Sequence, residues 1–67
     1  MKKLLIHANG HLSIVGEGID IVFKGTKFVS QPLPDGVNSL EGLETEGVGG
    51  LVIVRKDGVE VARADFN

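Results

Sequence analysis

The sequence predicts an all-β domain, a small six-stranded antiparallel barrel or sandwich built from three hairpins. Three observations carry that expectation. The apolar residues fall in short runs rich in Val, Ile and Phe, types that suit a pleated, half-buried surface. Turn residues bound each run: Asn9-Gly10, Gly16-Glu17-Gly18, Gly25, the stretch 32–36 and Asp57-Gly58. Short strands at that spacing argue for a barrel or a sandwich, and an SH3-like barrel is one arrangement that fits. The ten glycines lie between the runs, as turn residues do and those of a flexible linker do not.

The first hairpin is expected from "KLLIHA" (3–8) and "HLSIV" (11–15). A two-residue Asn9-Gly10 turn would put the apolar residues of the two strands on opposite faces. A three-residue loop, Ala8-Asn9-Gly10 with Gly10 left-handed, shifts the register by one. Leu4 and Ile6 then lie opposite Ile14 and Leu12 and make one apolar face, so the burial pattern selects this register. His7 and His11 become a directly opposed pair on the outer face.

The second hairpin, "IDIVFK" (19–24) with "TKFVSQ" (26–31), is expected to turn at Gly25-Thr26. That places Phe23 opposite Phe28 in the core, and Lys24 opposite Lys27 outside. The third, "LVIVR" (51–55) with "VEVARA" (59–64), turns at Asp57-Gly58, a strong two-residue signal. Arg55 then faces Glu60 as an exposed ion pair, and Val54 faces Val61.

Residues 32–50 read as an acidic, Gly-rich connection within a single domain, 1–67. Leu40 and Leu43 have helical spacing, and Asn38 with Glu41 resembles a capping box. Gly42 limits this to a short helical turn near 38–45. Asp35, Glu41, Glu44 and Glu46 occur there without Lys or Arg. Val37, Leu40 and Leu43 are expected to pack inward, with Glu41, Glu44 and Glu46 facing solvent or a basic partner.

Composition narrows the function classes. With no cysteine, thiol catalysis, disulfides and thiolate metal sites are excluded. The three serines lack a nucleophile motif, and a domain this small has little volume for a substrate pocket. The expectation is a non-enzymatic protein without a cofactor. "GVGG" at 47–50 precedes a strand and lacks the Lys-Ser/Thr of a phosphate-binding loop. "DGVNSLE" lacks the ligand spacing of a calcium loop. The apolar run after Met-Lys-Lys stops at His7, short of a signal peptide, and no stretch is long enough for a membrane span. A soluble, cytoplasmic protein is expected.

Three functional expectations remain. The first is an interaction or assembly protein acting through surface contacts as a homo-oligomer. Its basis is that Leu5, Val15, Val22, Val29 and Ile53 are assigned to an outer side that a solvated sheet would keep polar. A two-fold dimer burying Val22 and Val29, or an edge strand, satisfies this. The second is a nucleic-acid-binding barrel using Lys2, Lys3, Lys24 and Lys27. Against it stand a net charge of −2 and the absence of Trp and Tyr. The third is a metal or small-ligand module centred on His7 and His11, although zinc takes three or four ligands.

Overall fold

The computed structural model describes residues 2–16 and 27–67. Among the described residues it is an all-β fold of six antiparallel strands: β1 (Lys3–His7), β2 (Leu12–Val15), β3 (Phe28–Pro32), β4 (Leu43–Val48), β5 (Leu51–Lys56) and β6 (Val59–Asp65). They form two three-stranded sheets, ordered β2-β1-β3 and β4-β5-β6. The two sheets make a sandwich rather than a closed barrel. Among the described residues no helix is long and apolar enough to cross a membrane.

The core lies between the sheets. Leu4 and Ile6 of β1 meet Val52 and Val54 of β5 and Ala62 and Ala64 of β6. Leu12, Ile14, Val29, Leu33, Leu43, Val61 and Phe66 close around them. β5 alternates buried and half-buried residues from Leu51 to Val54, as a strand with one covered face does. β1 is buried at every position from Leu4 to His7, on both of its faces.

The first hairpin has the expected register, with Leu4 opposite Ile14 and Ile6 opposite Leu12. The third turns at Asp57-Gly58 as expected, with φ of 53° and 81°, the two positive angles of a type I′ turn. Arg55 lies opposite Glu60, but a bulge follows, and Val54 faces Ala62 instead of Val61. The bulge has a cause in the sequence. Apolar residues occupy odd positions at Val59 and Val61, then even positions at Ala62, Ala64 and Phe66. One extra residue lets Val61 pack on the core beside the even set, while Val59 stays exposed.

The segment 32–50 departs most from expectation. It holds no helical turn at 38–45. Leu43 N–H donates to Leu40 O at 3.2 Å, closing a turn, and β4 begins there. The capping box is absent: Glu41 N–H donates to Ser39 Oγ instead. Val37 is buried and Leu43 touches the core, whereas Leu40 is exposed. β4 and β5 are joined by Gly49-Gly50, a second two-residue turn with both φ positive.

β3 pairs with β1, and this corrects two placements. Val29 lies opposite Ile6 and packs on the core, so it is not an outer-face residue. Phe28 lies opposite His7 and is exposed rather than buried in the core. The expected strand 19–24 and the Gly25-Thr26 hairpin, with Phe23, Val22 and Lys24, lie outside the described residues.

Candidate functional site

The opposed histidines are built by the first turn. Gly10, at φ 89°, supplies the left-handed step. Gly10 N–H donates to His7 O and His7 N–H donates to His11 O, each at 2.9 Å. Asn9 Oδ1 accepts from His11 N–H at 3.1 Å. The two imidazoles nevertheless sit in different surroundings. His11 is exposed, but His7 is only 4% exposed, which corrects its expected placement in solvent. His7 Nε2 lies 3.0 Å from Ser13 Oγ, and the ring stands 6.0 Å from that of Phe28 at a tilt of 46°. Among the described residues no three His, Asp or Glu side chains come together to hold a metal ion.

The lysines are dispersed. Lys2, Lys3 and Lys27 are exposed. Lys3 is opposite Pro32, while Lys27 accepts a hydrogen bond from Ala8 N–H at the other end of β1. Five residues of strand separate them, about 16 Å.

Glu41, Glu44 and Glu46 are all exposed. Glu44 and Glu46 share the outer face of β4, where Arg55 Nη1 reaches Glu46 Oε2 at 2.6 Å. Arg55 therefore pairs with β4, not with the Glu60 it faces on β6. Thr45 points inward, and its Oγ1 donates to Gly10 O at 3.0 Å, fastening the first hairpin to the second sheet.

β6 carries a constellation that the sequence reading missed. Past the bulge, Arg63 lies opposite Ile53 and Asp65 opposite Leu51, on the outer face. Arg63 donates to Glu60 through Nε at 2.9 Å and Nη2 at 2.6 Å. That hydrogen bond, with the nearby guanidinium charge, holds the Glu60 carboxyl below its ordinary pKa and raises that of Arg63. Asp65 Oδ1 accepts from Asn67 N–H at 2.9 Å. The switch of apolar parity at Val61-Ala62 was the signal that could have located this face.

The same strand forms a sheet edge. Phe66 N–H donates to Gly50 O at 2.8 Å, and Ala64 lies opposite Val52 in the same register. Antiparallel hydrogen bonding alternates along a strand. Ala64 and Phe66 therefore direct their backbone groups toward β5, and Arg63 and Asp65 direct theirs away from it. Among the described strands none pairs with that side of β6. No protein-family model, curated protein or solved structure matches this chain.

Proposed function

We propose that this is a small non-enzymatic interaction protein that works as a homo-oligomer through surface contacts. One observation carries the reading: β4 and β6 bound an open three-stranded sheet, and no described strand pairs with their outer edges. Unpaired N–H and C=O groups along a strand invite pairing with another chain. Apolar exposure in the same sheet supports it. Val48 is 57% and Val59 is 64% exposed, and Val48 lies opposite the half-buried Leu51 on the outer face. The histidine pair and the dispersed lysines provide no comparable feature.

Sedimentation equilibrium of the full chain tests the reading. At about 100 μM, where a complex of micromolar affinity is formed, the mass should exceed the 7.1 kDa of one chain. A 7.1 kDa species at that concentration removes the proposal.

A further inference from the structure

We propose that two copies pair antiparallel along β6, across a two-fold axis at Ala64, with Arg63 of each opposite the partner's Asp65. This rests on the self-association reading above and specifies its interface.

The choice of β6 over β4 follows from charge. Antiparallel self-pairing of β4 centred on Thr45 would bring Glu44 against the partner's Glu46 on one face, and like charges directly opposed repel. Glutamates on an exposed edge protect it from such pairing. β6 has the opposite character. With Ala64 on the axis, Arg63 faces the partner's Asp65 twice, once on each side, and opposite charges attract.

Backbone geometry agrees with that register. Arg63 and Asp65 are the residues whose N–H and C=O groups point away from β5, so they form the hydrogen-bonded pairs of the new ladder. Ala64 becomes a non-hydrogen-bonded pair, where strands approach to about 4.5 Å between Cα atoms and a methyl group fits. On the inner side Ala62 faces the partner's Phe66, which continues the core of one molecule into the next.

The side chains have capacity to spare. Arg63 uses Nε and one Nη2 hydrogen on Glu60, leaving Nη1 for a second carboxylate. Asp65 uses Oδ1 on Asn67 N–H, leaving Oδ2. The bulge is the enabling feature, because without it Arg63 and Asp65 would point into the core.

A charge-swap series on the full chain tests this by sedimentation, with thermal melts to verify folding. The wild type should sediment as a discrete dimer. R63D and D65R should each weaken it at least about tenfold, since each sets like charges opposite at two positions. The double variant R63D/D65R should restore the dimer. Arg63 is lost from Glu60 in both R63D and the double variant, so recovery isolates the contact between chains. A dimer unaffected by either single change overturns the β6 interface and leaves self-association standing. Growth beyond a dimer overturns the two-fold, because head-to-tail pairing of β4 with β6 builds rings or open filaments rather than a two-fold pair. A monomeric wild type overturns both readings.

Discussion

Glu60 and Arg63 share one face of β6 and form an ion pair with two hydrogen bonds, at 2.6 and 2.9 Å. Residues three apart in a regular strand point to opposite faces. The extra residue at the bulge following Arg55-Glu60 restores them to the same side. One irregularity thus creates the charged face of β6 and keeps Ala62 and Ala64 in the core.

This pair sets a pH dependence. Arg63 holds the Glu60 carboxyl below the ordinary 4.5. A carboxylate depressed by folding contributes stability above its unfolded pKa and loses it as pH falls through the folded value. Urea midpoints should therefore decline below about pH 4.5 more steeply for the wild type than for Arg63→Ala. Parallel profiles would mean that solvent screens the pair completely. Both side chains are exposed, so the difference should be small.

The part of the core that the first hairpin supplies was legible in the sequence because that hairpin had only one register that made a single apolar face. Leu4, Ile6, Leu12 and Ile14 follow from it. β4 was not legible in the same way. Its "LETEGV" carries one large apolar residue at its start, and Leu40 and Leu43 mimic helical spacing. Gly49-Gly50, a two-residue hairpin signal, was the overlooked clue. The face of Val29 could not be derived either, since it depends on β3 pairing with β1 across a long connection.

Ile6 tests the shared core. It is fully buried between the sheets, and Ile→Ala changes at such sites cost about 2–5 kcal/mol. A domain of this size has roughly 3–5 kcal/mol in total. Ile6→Ala should therefore be largely unfolded at 25 °C, with collapsed amide dispersion in its NMR spectrum. Ile6→Val, at about 1 kcal/mol, should keep the native spectrum.

His7 and Ser13 sit diagonally across the first hairpin, their polar atoms 3.0 Å apart. A hydrogen bond of this kind contributes about 0.5–1.5 kcal/mol net to stability. Ser13→Ala should lower stability by that amount in urea titrations. Ser13→Thr keeps the hydroxyl and should lose less. Equal losses would show that side-chain volume, rather than the hydrogen bond, matters at this position.

Gln31 offers a gain. It lies opposite Leu4 on β3, facing the core, and its buried Nε2 has no hydrogen-bond partner among the described residues. Replacing an unsatisfied amide with an apolar side chain of similar size removes a desolvation cost of about 1 kcal/mol or more. Gln31→Leu should raise the melting temperature by about 5 °C. A fall instead would mean that the branched side chain overpacks the space beside Leu4.

The two glycine turns of the second sheet separate backbone strain from contact. Gly50 and Gly58 have similar left-handed angles, φ 87° and 81°, so an alanine at either place pays about 1 kcal/mol of conformational cost. Their surroundings differ. A Cβ on Gly58 meets open space, whereas one on Gly50 collides with the side-chain amide of Asn67. That amide donates to Gly49 O, tying the C-terminal residue to the turn. Gly50→Ala must displace it and forfeit the hydrogen bond, which adds about 1 kcal/mol. Gly50→Ala should thus be more destabilising than Gly58→Ala in the wild-type background. In an Asn67→Ala background the two should cost the same, and the coupling between positions 50 and 67 should be about 1 kcal/mol. A coupling near zero would show that Asn67 does not hold this turn in solution, leaving the Phe66 N–H to Gly50 O bond to close the end of the β5-β6 ladder.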